Sequence, residues 1–562
     1  MSVAPLAAAD SCGDALTPIS AIQGTRDTSP LQGSVQRVEG VITLDGRGPG
    51  GLSGFYLQSL PDDTDANVST SEGLFIFTGA EGGQVGDHVR VEGSIKEYYG
   101  LTEMTGRGSV EVCGSAALPA PVPIDLPLTH PERLESMRVT FDQPLAVIDT
   151  YAYGRFGAVT LAADDPLRSQ RPQQHRKNRQ YRILLDDRRL AQNPEILPLP
   201  QPRLSAGNSL RTGSRLAPVR GVLDFRYDHW RIQPEVWPDI VIANERPAPP
   251  IAPQAGVIRV ASFNTLNFFN GDGSGGGFPT ARGADNRSEL KRQQQKLAAA
   301  IRGLEADVVG LMELENDGSD TDSAIAELAR TLGEDWAYVS QAFAGGDAIR
   351  VGLLYRSDRV EPVGDTRVLS DGVFSRYSRA PVAQDFQSRG GEGRMRVVVN
   401  HFKSRSCRNA EGDHRAVDEG CYAPVRERSA RELLAWLETL PESGNLLGTL
   451  ILGDLNTYIG ERPLAILAAA GFQRPAVLSG EDQHTYRFKG VRGVLDYILP
   501  DESLQSRVTG GDVWHINADE PTVLDYNLEF HPPKRAERLY GPGPWRSSDH
   551  DPVYLDIRLD RH

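Results

Sequence analysis

The chain has 562 residues, 39% hydrophobic and 24% charged, an ordinary globular composition too long for one core; at about 150 residues per domain it predicts three or four domains. Sixty Lys and Arg against 75 Asp and Glu leave a formal net charge of −15, which excludes bulk positive charge as the means of gripping nucleic acid. No apolar run reaches the roughly 18 residues that would span a membrane.

Residues 1–19 read as an extension. Their start, MSVAPLAAADSCGD, has neither a basic opening nor an apolar core long enough for a signal peptide. The sparse cysteines and the acidic, Gly-rich composition nevertheless favour a secreted protein whose export signal is absent from this version of the chain. Four cysteines allow three disulfide connectivities. The sequence-local choice joins Cys407 to Cys421 and Cys12 to Cys113; the alternative is four reduced thiols.

From 20 to 117, short β-type runs alternate with turns: Gly40 to Leu44, Gly54 to Gln58, Gly73 to Phe77 and Asp87 to Gly93. Strands this short and regularly spaced predict a small barrel. Pro119 to Pro127 reads as a linker opening a second β-rich domain, 118–246, with runs at Met137 to Phe141 and Ala217 to Leu223. Within it the basic, polar stretch 168–180 reads as a solvated loop. Residues 247–256 contain Pro-Ala-Pro-Pro-Ile-Ala-Pro, the clearest boundary in the chain.

Beyond it, from 257 to 562, strands and helices alternate. Ile258 to Phe263 is a strand, and Leu290, Leu297, Ala298, Ile301 and Leu304 share a helical face. Asp307 to Met312, Val397 to Val399 and Leu450 to Leu452 are strands, Val425 to Leu440 an amphipathic helix, and Val553 to Ile557 a last strand. The pattern predicts an α/β layered domain of about 300 residues.

Polar clusters mark these strands. In order they are Ser262 to Asn267, Gly310 to Asn316, Val399 to Arg405, Leu452 to Thr457, Gly493 to Leu499, and Ser548-Asp549-His550-Asp551-Pro552. Polar residues at strand ends of an α/β sandwich converge on one rim, where sites form. Carboxylate and amide oxygens select a hard cation such as Mg²⁺, with Mn²⁺ or Ca²⁺ as alternatives. Two histidines without cysteine ligands favour acid–base or oxyanion work over structural zinc. For any single cluster the alternative is a capped strand end.

With its six clusters in order, the stretch 257–560 resembles the endonuclease/exonuclease/phosphatase superfamily, the DNase I-like fold. Arg282 to Asn286, Met312 to Asn316, His515 to Pro521 and Arg546 to His550 look like the ExeM/NucH-type extracellular nucleases of bacteria, which carry an OB-fold-like domain ahead of the catalytic one. Ile22-Gln23-Gly24, Gly54 to Gln58 and Glu97 to Gly100 look like that domain. The fold so implied is an α/β (α+β) four-layer DNase I-like sandwich preceded by β-rich domains, including an OB-fold-like barrel.

The resemblance places Asn264, Glu313 and Asp549 at the metal, with Glu315 as the alternative to Glu313. Asp454 would orient or deprotonate the attacking water, and Asn456 would hold the scissile phosphate. His550 would contact the phosphate, with Asp496 fixing its tautomer, and His401 would be the second imidazole on the transition state or leaving oxygen. The glutamate partner that such nucleases give the latter histidine is missing here, with Asp347 only nearby. Arg379, Lys403 and Arg405 are the candidate substrate contacts, and Asn267 is a weaker candidate.

The reading is a secreted, metal-dependent nuclease hydrolysing DNA phosphodiester bonds, expected as a monomer, whose N-terminal β domains bind or position nucleic acid or tether the enzyme. Phe55, Tyr56, Phe75, Phe77, Tyr98 and Tyr99 are either barrel core or base-stacking rings. One rival is a phosphoesterase of the same fold acting on a phospholipid or other phosphate ester. Another is a nucleic-acid-binding or adhesion protein with an inactive catalytic domain.

Overall fold

The computed structural model describes residues 12–13, 16–163, 179–341, 345–415, 418–441, 444–480 and 482–559. Most of the basic stretch 168–180 lies outside them. Among the described residues the chain forms two compact units, one of 12–13, 16–163, 179–204 and 210–244, the other of 205–209 and 245–559. The boundary falls beside the proline-rich segment at 247–256. Both expected disulfides, Cys12–Cys113 and Cys407–Cys421, are formed.

The first unit begins with β1 (Val35–Asp45), β2 (Gly54–Gln58), β3 (Gly73–Phe77), β4 (Asp87–Tyr98) and β5 (Leu101–Ser115). They close into a barrel in the order β1-β2-β3-β5-β4. Alternate side chains of each strand point inward, so Val38, Ile42, Phe55, Leu57, Leu74, Ile76, Val89 and Met104 fill the interior.

Nine strands follow: β6 (Val122–Pro123), β7 (Arg138–Phe141), β8 (Leu145–Asp149), β9 (Val159–Ala162), β10 (Ile183–Leu185), β11 (Arg215–Leu216), β12 (Val219–Arg226), β13 (His229–Pro234) and β14 (Ile240–Ile242). They form one sheet, ordered β14-β11-β8-β9-β10-β13-β12-β7-β6. The proline-rich segment read as a linker supplies β6 at its edge, where a missing N–H is tolerated. The domain division expected at 117–118 separates two sheets of a single unit. Buried polar bonds join them: Ser71 Oγ donates to Glu135 O at 2.6 Å, and the Arg138 N–H to Gln58 Oε1 at 3.0 Å.

The second unit holds β15 (Val257–Phe268), β16 (Val308–Glu315), β17 (Trp336–Tyr338), β18 (Ile349–Arg356), β19 (Val360–Val368), β20 (Arg379–Ser388), β21 (Arg394–His401), β22 (Leu446–Asp454), β23 (Tyr486–Phe488), β24 (Val491–Gly493), β25 (Asp496–Pro500), β26 (Val508–Val513) and β27 (Val553–Arg558). One sheet runs β17-β18-β16-β15-β27-β26, the other β19-β20-β21-β22-β25. The central pairs β15/β16 and β21/β22 are parallel.

Two-residue periodicity sorts the side chains. Val260, Val308 and Met312 of one sheet share a core with Val397, Val399, Leu450 and Leu452 of the other. On the outer face of the first sheet, Phe263, Val309 and Leu311 pack with the helices Arg287–Gly303 and Ala324–Leu332. On the outer face of the second, Val398 and Ile451 pack with the helices Ala423–Thr439 and Arg462–Ala469. A Cβ on Gly310 would lie 2.3 Å from Leu452 Cδ1 and 3.1 Å from Val399 Cγ2, so glycine there lets the side chains of the second sheet pack close.

Candidate active site

The ends of the central strands build the site. On the second sheet, His401 closes β21, Asp454 closes β22 and Asp496 opens β25. Asp454 pairs in register with both His401 and Asp496, so three neighbouring strands present one residue each. On the first sheet, Asn264 lies on β15 and Glu313 on β16, while Asp549 and His550 immediately precede β27.

His550 Nδ1 lies 2.7 Å from Asp496 Oδ2. Asp454 Oδ2 is 3.6 Å from His401 Nε2 and 4.0 Å from His550 Nε2, a carboxylate between two buried imidazoles. Asn264 Nδ2 reaches the same oxygen at 3.4 Å and Glu313 Oε1 at 3.3 Å. The Asn456 N–H donates to Asp454 Oδ1 at 2.8 Å, and its side-chain amide to Phe402 O at 3.2 Å. Glu313, Asn267 and Asn456 all hold left-handed backbone, φ +63°, +51° and +49°; such strain in non-glycine residues clusters at working sites.

Electrostatics separate the two histidines. Burial opposes charge on His550, but Asp496, Asp549 and Asp454 outweigh it and raise its pKa well above the ordinary value, keeping it an imidazolium. Burial, then Arg379 and His550, hold His401 well below, so it is neutral. Burial pushes Asp454 up to about 7, with His550 pulling down and Asp496 pushing up. Glu313 is raised by burial and by Asp549.

Asp549 bears on Glu313, and carboxylate oxygens suit a hard divalent cation; Asn264 turns its amide nitrogen toward Glu313 and Asp454 while its oxygen accepts the Leu266 N–H. Asp454, Asp496 and His550 also present ligand atoms within 4.8 Å of one another.

Positive charge is local. Asp347 bridges Arg282 Nη2 and Arg379 Nε, each at 3.2 Å, and both cations, with Lys403, bear on His401. Arg379 also donates to Phe402 O at 3.3 Å. Lys403 lies over the Tyr422 ring at 4.9 Å. Arg405 is engaged elsewhere: its guanidinium forms a two-pronged pair with Glu461 at 2.6 and 2.8 Å, donates to Asn456 O at 3.2 Å and covers the Tyr458 ring. Its bonding supports the Asn456 loop. Glu315, the alternative to Glu313, instead accepts the N–H groups of Asn270 and Gly271.

A family model described as Endonuclease/Exonuclease/phosphatase matches residues 261–550, just over half of the chain. The chain belongs to the endonuclease/exonuclease/phosphatase family. Members are generally hydrolases of phosphate esters and typically use divalent metal ions. A second model, a domain of unknown function (DUF8508), matches residues 126–241. No curated protein matches the chain. Among solved structures, humanized D. rerio TDP2 is 15% identical, covering 54% of this chain and 99% of that one, at a TM-score of 0.34. The human Nocturnin catalytic domain is also 15% identical, covering 54% and 94%, at 0.35. A Bacteroides thetaiotaomicron mannosyl-6-phosphatase is 14% identical, covering 53% and 99%, at 0.33.

In this family member the residues that sequence reasoning missed are those that hold the loop 546–551. Asn517 Oδ1 accepts the N–H groups of Ser547 and Ser548 at 2.8 and 3.2 Å, and its Nδ2 donates to His550 O at 2.7 Å. Asp551 Oδ1 in turn accepts the N–H of Asn517 at 2.7 Å. The Thr485 hydroxyl accepts the N–H groups of Leu495 and Asp496, fixing the start of β25. The Tyr486 ring lies 4.6 Å from that of His550. The run His515 to Pro521 was visible as a motif, but not as the anchor of this loop.

Proposed function

We propose that the chain is a secreted, divalent-cation-dependent nuclease that hydrolyses DNA phosphodiester bonds. The observation that carries this reading is Asp454 between His401 and the His550–Asp496 pair, with Asn264 and Glu313 beside it.

Glu313, Asp549 and Asn264 would hold the cation, Mg²⁺ by its preference for oxygen, which when bound supplies positive charge to the phosphate oxygens. Asp454, poised near neutrality, takes the proton of a water as its oxygen attacks phosphorus. The imidazolium of His550 faces the growing negative charge, and Asp496 holds its tautomer. His401, neutral, donates a hydrogen bond to the transition state or the leaving oxygen, which takes up a proton from water as the P–O bond breaks. Asn456 holds the scissile phosphate. Arg379 and Lys403 contact the substrate backbone, with Arg282 adding charge, which reconciles an acidic protein with an anionic substrate.

Two disulfides suit an oxidising compartment, and among the described residues no helix is long and apolar enough to cross a membrane. The layers helix, sheet, sheet, helix of the second unit support the DNase I-like sandwich. The strand order of the barrel supports an OB-fold-like domain of the ExeM/NucH-type arrangement.

The experiment is a gel assay of supercoiled plasmid, linear duplex and single-stranded DNA with Mg²⁺ or Mn²⁺. The wild type degrades at least one substrate, and His550→Ala lowers the rate by about 10²–10⁴, the usual contribution of such a group. A His550→Ala enzyme of wild-type rate overturns the assignment. DNA left intact under every metal moves the reading to a phospholipid or small phosphate ester.

A further inference from the structure

The first unit contains a cavity of about 770 Å³ at the turn between β4 and β5 and the hairpin of β12 and β13. Its wall includes Phe225 and Trp230, a cross-strand pair whose rings lie 4.9 Å apart. Both rings are only half-buried. Gly100, at the β4–β5 turn, lines the cavity and leans on the Phe225 ring, where a Cβ would come within 2.7 Å. The two residues before it, Tyr98 and Tyr99, are 54% and 78% exposed and pack edge to face at 4.8 Å. Tyr99 sits at φ +52°, a conformation that disfavours a bulky side chain. A strained turn thus carries exposed rings beside an aromatic-walled cavity, where burial in the barrel core would have been the ordinary fate of tyrosine.

The polar lining has two parts. Arg26 and Arg133 are solvent-facing and supply positive charge. Asp27 and Glu132 supply carboxyl groups. Burial, then Asp27 and Glu97, push Glu132 up to about 7, so near neutral pH it both donates and accepts hydrogen bonds.

Aromatic faces stack on bases of any sequence, and basic residues track the phosphates. Carboxyl groups beside the rings add a preference. They accept hydrogen bonds from the exocyclic amines of adenine, cytosine or guanine, and thymine has no such amine. We infer that this cavity is a nucleobase subsite for single-stranded nucleic acid: one base stacks against Trp230 and Phe225, its amine meets Glu132 or Asp27, and its neighbours lie along Tyr98 and Tyr99. The subsite rests on the proposed action on nucleic acid, though it lies wholly within the first unit. Of the six rings that the sequence leaves between core and stacking roles, Phe55, Tyr56 and Phe75 are buried, and Phe77, Tyr98 and Tyr99 are exposed.

The test uses the full chain and fluorescein-labelled oligo(dC), oligo(dA) and oligo(dT) in EDTA, so that binding is read without cleavage. Competition with free dCMP separates a strand from a mononucleotide as the ligand. Hydrolysis of a small chromogenic phosphodiester with Mg²⁺ is measured alongside. Tyr99→Ala and Arg133→Glu alter exposed side chains and leave the fold intact; Trp230→Ala removes the stacking wall.

The inference expects oligo(dC) and oligo(dA) to bind at least tenfold tighter than oligo(dT). It expects Trp230→Ala, which removes a stacking face, and Arg133→Glu, which reverses a charge, each to weaken binding about tenfold or more with small-diester hydrolysis unchanged. Equal binding by wild type and all three variants, or no binding at all, overturns it. Variant-sensitive binding in a protein that cleaves no phosphodiester sinks the nuclease reading and leaves the subsite standing.

Discussion

The two site histidines have opposite charge states although they flank one carboxylate. His550 is bonded to Asp496 and faces Asp549, while His401 faces Arg379 and has an Nδ1 with no hydrogen-bond partner among the described residues. The glutamate partner noted as missing in the sequence is not found at His401 among the described residues either, which fits a neutral His401. A pH dependence follows on the proposed mechanism. Activity rises as Asp454 loses its proton near 7 and falls as His550 loses its own at a pH well above the ordinary histidine value. Because the imidazolium is the working form, lowering its pKa brings the fall to lower pH. Asp496→Asn removes the nearest charge that raises it. A kcat/KM–pH profile should therefore show the alkaline limb of the variant displaced toward acid; a limb that stays in place contradicts the role of Asp496.

Elements set the geometry through register. Because Asp454 faces His401 on one side and Asp496 on the other, a one-residue slip of β22 would turn its carboxylate to the opposite face. Gly453 supports that register: at φ +129°, a Cβ there would lie 1.9 Å from Asn400 O. On the neighbouring pair, Asp385 of β20 and Arg396 of β21 stand opposite each other and form a buried two-pronged ion pair at 2.7 and 3.1 Å. Removing one partner leaves a buried charge, at a cost of about 3–5 kcal/mol. Asp385→Ala should lower the urea midpoint of the second unit accordingly, and a midpoint within error of wild type would refute that weight.

Much of this level was legible in the sequence. Asn264, Glu313, His401 and Asp454 follow apolar runs, and Asp496 and His550 precede them, and the period of two in such runs fixes which face each strand side chain takes. What was not legible acts through hydrogen bonds and ion pairs between different segments. The Asn517 bonds to the 547–550 loop, the Arg405–Glu461 pair and the Thr485 hydroxyl on β25 have no local pattern, since each needs the folded chain to define its partner.

The molecule divides into two units with separate cores, each carrying one disulfide. The first was readable as β-rich, and its barrel as a barrel, because short alternating runs leave few other solutions. Its extent was not, because the link between barrel and sheet lies in buried polar contacts such as Arg138 to Gln58 rather than in composition. In the second unit, Cys407–Cys421 closes a 14-residue separation. In the chain-entropy account a loop of that size contributes about 3 kcal/mol. The double variant Cys407→Ser/Cys421→Ser should thus shift the unfolding transition of the second unit to lower urea while leaving that of the first in place. A shift of both transitions together would show the units unfolding as one.

The most direct test of the account is the initial rate of DNA hydrolysis by the wild-type chain after exhaustive chelation and again after adding Mg²⁺ or Mn²⁺ in excess. The account predicts no hydrolysis in EDTA and recovery on adding the cation, with Glu313→Gln failing to recover at the same concentration. Undiminished hydrolysis in excess chelator would contradict it.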